Sequence, residues 1–379
     1  MHDAASDYRE QNLEKMTFET SYESILEKID QLDPIAYSQN RNYVDGSVSY
    51  LSPYISRGVI STKFIFDRLQ AKGFKMMEMG KFAQELAWRD YWQQVWIAKE
   101  DLINEDLKRE QPDFNNHQMP LSIISKNTGI EVIDENIALL YESGYIHNHM
   151  RMYLASIACN IGKSHWKVPA QWMYYHLLDG DWASNALSWQ WVTGANANKK
   201  YYANQENINN FFYSNQTSTF LDVEYEAFET LPIPEALKAT STPELTTTLP
   251  DSTSLNIDPE LPTLIYNYYN LDPNWRKEEQ ANRILLFEPK IFAQYPVSEN
   301  CIEFALSLSD NIPNIQYFKG SFDRLIQENG IQEVVYKEHP LNKHYKGQED
   351  PRDWMFGVKG YSPSFFAFWK KCKKEMKGW

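Results

Sequence analysis

Cysteine is scarce in this chain of 379 residues, basic residues are outnumbered, and neither a bilayer-length apolar run nor a glycine-rich phosphate loop occurs. Cys159, Cys301 and Cys372 are too few for a four-thiolate iron–sulfur cluster and too scattered for a zinc motif or disulfide framework. No metal centre is therefore expected, and a reducing cytoplasm fits. The longest apolar runs fall far short of the roughly 20 residues that span a bilayer, so no membrane partner is expected. The first residues, with His2, Asp3, Asp7 and Glu10, lack the basic and apolar stretches of a signal peptide. Lys and Arg number 37 against 51 Asp and Glu, a net charge of −14, so any nucleic-acid contact has to be made by a local basic face against an unfavourable global field. Glu288, Pro289 and Lys290 follow the apolar run 283–287 where a dinucleotide fingerprint would place glycines.

What the chain has in quantity is aromatic surface. It carries 12 Trp, 24 Tyr and 19 Phe, and eight of the Trp lie between Trp88 and Trp191. Core packing explains single rings, but their clustering points to a second role. At about 150 residues per domain the length predicts two or three domains. Apolar periodicity predicts helices over 22–32, 58–69, 81–97, 131–143, 146–161, 169–178 and 182–191, with no convincing strand among them. Residues 1–16 read as an N-terminal tail and 17–225 as a helical domain. Residues 226–282, rich in Thr, Pro and Ser, read as a linker or extension. Residues 283–379 read as a small α/β domain: strands over 283–287, 315–318 and 333–336 alternate with helices over 298–310 and 322–328, a βαβαβ unit. The chain closes on a basic, aromatic helix whose charges read as a solvated face.

Three segments carry candidate chemistry. Gly46 to Tyr54 places small hydroxyl residues on a turn before a helix starting near Ser56 to Gly58, where backbone amides and hydroxyls can meet an anion or simply cap the helix. Asp179-Gly180-Asp181 sets two carboxylates around a glycine ahead of Trp182; amid so many aromatics they need a cation, and Arg151 is the nearest candidate. On the helix of Arg151, Asn148 and Met152 lie four residues apart on the same face, which could line a pocket.

The strings SYLSPYISRGVIS, ELAWRDYW, GYIHNHMRM and LLDGDWASNALSWQW, in this order and spacing, resemble the flavin-binding helical domain of the photolyase and cryptochrome family over about residues 37–213. The resemblance implies a mostly α fold, an all-helical photolyase-type domain binding FAD followed by the small α/β domain. It implies that Ser49, Leu51, Ser52 and Arg89 bind the FAD phosphates, with Val48 replacing a threonine donor. Arg151 and Asp179 match the ion pair over the flavin ring, Asp181 the carboxylate at its pyrimidine edge, and Asn185 the residue facing N5. Glu85 and Trp88 match the pair contacting a flipped pyrimidine dimer, with Phe82 where a Trp often stands. Asn148 matches the asparagine between flavin and substrate, Met152 a further pocket residue, and Trp191 a pocket wall. Trp189 and Trp166 match the first two members of the electron-transfer chain.

The departures are equally specific. No Trp lies between Trp96 and Trp166, where the surface member of the chain would fall. His149 and Ala203 stand where the family has arginines, and fewer phosphate contacts give weaker, less salt-dependent DNA affinity. The α/β unit resembles a reduced or relocated counterpart of the family's antenna domain. The implied function is a deoxyribodipyrimidine photo-lyase, a blue-light flavoprotein splitting cyclobutane pyrimidine dimers in DNA with single strands favoured, cytoplasmic and monomeric. Asn148 and Met152 favour this over (6-4) repair, which needs a histidine proton donor. The alternative is a cryptochrome-like photoreceptor without repair; Asn185, which cannot give up a proton as a carboxylic acid does, favours the enzyme.

Overall fold

The computed structural model describes residues 16–376; residues 1–15 of the expected tail and 377–379 lie outside the described residues. In chain order the principal helices are α1 (Tyr22–Asp30), α2 (Ser52–Ser56), α3 (Thr62–Ala71), α4 (Met76–Lys99), α5 (Glu131–Ser143), α6 (Asn148–Ala155), α7 (Lys167–His176), α8 (Trp182–Thr193), α9 (Gln205–Phe212), α10 (Glu299–Ser309), α11 (Phe322–Asn329) and α12 (Phe365–Glu375). The parallel strands are β1 (Thr263–Tyr266), β2 (Asn282–Phe287), β3 (Ile315–Lys319), β4 (Val334–Lys337) and β5 (Gln348–Asp350).

Two compact units cross the expected succession of domains. Of the described residues, a helical unit takes 16–18, 36–48 and 101–245; a sheet unit takes 19–35, 49–100 and 246–376. The first four helices thus pack with the sheet. Their contacts give the reason: the first amide of α1 donates to Asn311 Oδ1 at 2.9 Å, and the buried Asp90 of α4 accepts from the Met355 amide at 3.0 Å.

In the helical unit, α5 buries Val132, Ile133, Ile137 and Leu140 on one side and stops at Gly144, whose φ of +68° favours glycine and where a Cβ would lie 2.7 Å from Leu178 Cγ. The helix expected over 146–161 divides: α6 starts after the cap His147 and passes at Ser156 into a six-residue π turn, Ser156–Ile161. There Asn160 donates to the carbonyls of Val192 at 3.1 Å and Tyr201 at 2.7 Å. Asp181 and Asn204 cap α8 and α9 by accepting from the amides of Ser184 and Asn207.

In the sheet unit the strand order is β3-β2-β1-β4-β5, all parallel. The three expected strands are present, and two more join them. The central one, β1, comes out of the segment expected as a linker, because Thr263–Tyr266 is buried throughout and so reads as a short apolar run without alternation. Ile265, Ile284, Leu286, Phe318, Phe322 and Leu325 form its core with Val334 and Tyr336. After β2 the buried Glu288 lies at the start of α11, accepting from the Phe322 amide at 3.1 Å and from Tyr345 Oη at 2.9 Å. A side-chain carboxylate thus occupies the helix N-terminus that a phosphate uses in dinucleotide folds.

The helix expected over 58–69 begins later, at Thr62. Gly58 has φ +66°, and a Cβ there would lie 2.3 Å from the Tyr269 carbonyl oxygen, so the chain turns at this point and restarts at the cap Ser61.

Candidate functional site

The helical unit carries the more elaborate half of the candidate residues. Between α7 and α8 the chain folds back sharply at Gly180, where a Cβ would come within 2.9 Å of Leu177 O and 3.0 Å of Tyr174 O. This turn sets Asp179 and Asp181 one residue apart. Asp181 Oδ1 accepts from the Ser184 amide at 2.7 Å. Asp179 accepts from Arg151 Nη2 at 3.0 Å, so the expected cation is in place. Arg151 also donates through Nε to Ile146 O at 3.1 Å, and its guanidinium lies 5.2 Å from the Tyr145 ring centroid. Burial works against its charge, but Asp179 and Tyr145 outweigh it and raise the arginine pKa. Two bonds and a ring therefore fix the guanidinium in one plane.

Asn185 lies one turn into α8 and donates through Nδ2 to Ala170 O at 2.8 Å, which orients its amide. The neighbouring Ser184 hydroxyl is buried with no hydrogen-bond partner. On α6, Asn148 is exposed at the first position, while Arg151 and Met152 are half-buried. His147 Nδ1 accepts from the His149 amide at 3.1 Å, which leaves Nε2 as donor to Arg41 O at 2.9 Å. Burial, and the neighbouring His149 and Arg151, push its pKa down to about 4, against the opposing bond to Arg41. His149 stacks on Tyr153 at 4.8 Å, so both histidines are packing groups in this fold.

Trp189 and Trp166 are buried, whereas Trp191 is 40% exposed and lies 6.0 Å from the Tyr201 ring. The Trp166 indole donates to Asp106 Oδ1 at 2.6 Å. Sequence reasoning passes over Asp106, which is 60 residues away in the chain and has no local signature.

The sheet unit carries the remaining candidates. Ser49 Oγ accepts from the Leu51 amide at 3.5 Å across Tyr50, whose φ is +51°. Leu51 is buried and offers only its backbone; Ser52 opens the five-residue α2. From α4, Arg89 reaches Ser56 Oγ at 2.8 Å, Glu85 pairs with Lys81 at 3.0 Å, and Phe82 is buried. Trp88 stacks flat on Phe365 of α12, with centroids 3.7 Å apart and planes at 10°. Phe365 therefore covers one face of the ring expected to meet substrate. Nothing local in the sequence joins residues so far apart.

The helical-unit set suits a flavin. A fixed guanidinium, two carboxylates, an oriented amide and an unsatisfied buried hydroxyl offer the mixed donors and acceptors that a polar heterocycle needs. Residues 82–220 match the model of the FAD binding domain of DNA photolyase. Among the relatives, the deoxyribodipyrimidine photo-lyase of Streptomyces griseus is 30% identical over 149 residues, 39% of this chain and 32% of that protein. The enzyme of Alkalihalophilus pseudofirmus is 28% identical over 161 residues, 41% of this chain and 33% of that protein. The chain thus spans about a third of the length of the curated relatives it matches. A Synechocystis cryptochrome structure is similar at a TM-score of 0.46 and 20% identity, over 52% of this chain and 44% of that one.

Proposed function

From a chain that belongs, through residues 82–220, to the photolyase and cryptochrome family and takes FAD as its cofactor, we propose a light-driven deoxyribodipyrimidine photo-lyase that splits cyclobutane dimers in DNA. The observation that carries this reading is the pair of half-buried Arg151 with buried Asp179 beside the Asp181 cap, within the matched segment. When bound, reduced FAD supplies the electron that opens the dimer and receives it back. The protein's residues orient and protect. Arg151 and Asp179 hold the ring, Asp181 meets its pyrimidine edge, and Asn185 presents an amide that cannot act as an acid at N5. Ser49, Leu51, Ser52 and Arg89 take the phosphate end. By the family resemblance, Glu85, Trp88, Asn148, Met152 and Trp191 receive the flipped pyrimidine dimer, whose broken pairing lowers the cost of extrusion.

His147 supports cyclobutane over (6-4) repair. It is neutral at pH 7, and its one N–H is held by the Arg41 carbonyl while Nδ1 accepts from the His149 amide, so the ring is not placed as an acid. Trp189 and Trp166 pass electrons inward. The substrate is dimer-containing DNA, single strands foremost, and the protein acts as a cytoplasmic monomer. A photoreceptor without repair is the second reading, favoured by the Phe365 ring that covers Trp88.

The test is loss of thymine dimers from single-stranded and duplex oligonucleotides under blue light, with the flavin chemically reduced so that the tryptophan route is bypassed. Repair is expected on both, faster on single strands. No repair on either, with reduced flavin present, removes the lyase reading and leaves the photoreceptor.

A further inference from the structure

Helix α12 presents two unlike faces. Phe365, Phe368, Trp369 and Cys372 are buried in the sheet unit, where Phe365 lies on Trp88, Phe368 is 5.7 Å from Tyr91 and Trp369 is 6.0 Å from Phe356. The other side carries Phe366, Lys370, Lys373 and Lys374, all exposed; Phe366 lies four residues before Lys370, and Lys373 and Lys374 lie three and four after it, so that they form one stripe. Phe366 is 69% exposed, the state that core packing least explains for a phenylalanine. Among the described residues none of these three lysines enters an ion pair. The single acid of the helix, Glu375, is occupied instead by the Gly357 amide at 2.8 Å. Lys371 is tied to Ser362 Oγ at 3.1 Å and extends the positive charge along the helix.

We infer that this stripe is a docking surface for single-stranded nucleic acid, with the phosphates running along Lys370, Lys373 and Lys374 and a base stacked on Phe366. Charge complementarity argues for a polyanion, because four lysines collect here on a chain whose net charge is −14. The ring argues for unpaired bases, whose faces are free to stack. A membrane fits poorly: a helix that lies in a bilayer inserts its apolar face, and here that face is already buried. The inference rests on the lyase reading only for the identity of the polyanion as DNA.

The experiment uses the full chain with bound FAD, in the dark, and a labelled undamaged oligothymidylate followed by fluorescence anisotropy between about 50 and 200 mM salt. Phe366→Ala is expected to weaken binding about fivefold or more, the loss of one stacked base. Lys370→Gln with Lys373→Gln is expected to flatten the salt slope by roughly 0.7 for each lysine. These positions are exposed, so the variants are expected to fold. Unchanged affinity and slope in both variants, no binding by the parent protein, or a preference for phosphatidylserine vesicles over the oligonucleotide would overturn the inference. Dimer repair is measured in parallel. Normal repair with variants that bind like the parent removes the docking surface alone; absent repair with the predicted losses removes the lyase reading alone.

Discussion

A tryptophan that passes an electron inward is left with positive charge on its ring, and what stands beside it decides how long that charge lasts. Beside the buried Trp166 indole stands the Asp106 carboxylate at 2.6 Å. Burial works against its charge, but bonds from His165, the Gln111 amide and Trp166 outweigh this and hold Asp106 below the usual carboxylate pKa. It is therefore ionised at neutral pH. Asp106→Asn is expected to slow flavin photoreduction about tenfold, the loss of one charge-assisted bond to the oxidised ring. FAD content should be unchanged, and Trp166→Phe should slow the reaction at least as much. Blue-light absorbance traces with a thiol donor check this; rates unchanged from the parent protein in both variants would place the electron entry elsewhere, at Trp182 or a tyrosine. The sequence made Arg151 legible as the partner of Asp179 because a carboxylate among aromatics needs a cation. It hid Asp106 and Phe365 because each meets its tryptophan through tertiary folding alone.

Among the elements, periodicity located every long helix, since their buried stripes recur every three or four residues. It failed where the backbone departs from regularity for tertiary reasons. The π turn at Ser156 has the same apolar composition as a helix, and β1 is four buried residues inside a Thr- and Pro-rich stretch. The start of α11 shows the same limit: Glu288 could be read as the absence of glycines, but not as the carboxylate that accepts from the Phe322 amide there. His344 Nε2 lies 2.9 Å from Glu288 Oε1, and this bond raises the histidine pKa above its usual 6.5 against partial burial. A base with a raised folded-state pKa contributes stability in full below the unfolded value and loses it as pH rises through the folded one. His344 is half exposed, so the contribution is modest. His344→Ala is expected to lower the thermal midpoint of the sheet unit at pH 6 by a degree or so, about 0.5 kcal/mol, and to leave it unchanged at pH 9. Equal shifts at both pH values would show that the ring acts by packing and not by charge.

Among the described residues, the histidines lowered by burial and the carboxyls raised by it divide between the two units with opposite sign. In the helical unit burial lowers the pKa of His147 and His176 to about 4 each, and lowers His149 as well. Unfolded histidines take up protons first as pH falls below about 6.5, so each of these withdraws stability from the fold, His147 and His176 down to about pH 4. The sheet unit holds one such residue, His339, lowered by burial and by Arg352 and Arg57. Against it stand Asp90, raised by burial to about 6, and Glu349, raised by burial and Glu338. These carboxyls take up protons in the folded state first, so each adds stability as pH falls through its raised folded-state value, about 6 for Asp90. Acid therefore weakens the helical unit, while in the sheet unit the two carboxyls oppose His339. Hydrogen exchange read by mass spectrometry at pH 7 and pH 5, corrected for intrinsic rates, is expected to show lost protection in α5 to α9 and little change in β1 to β4. Each proton taken up only on unfolding costs about 1.4 kcal/mol per pH unit, so the loss should be large enough to read peptide by peptide. His176→Gln should reduce it, because that ring packs against Tyr141 at 4.6 Å and owes its low pKa to burial alone. Uniform loss across both units would mean that acid acts through the net charge and not through these buried rings.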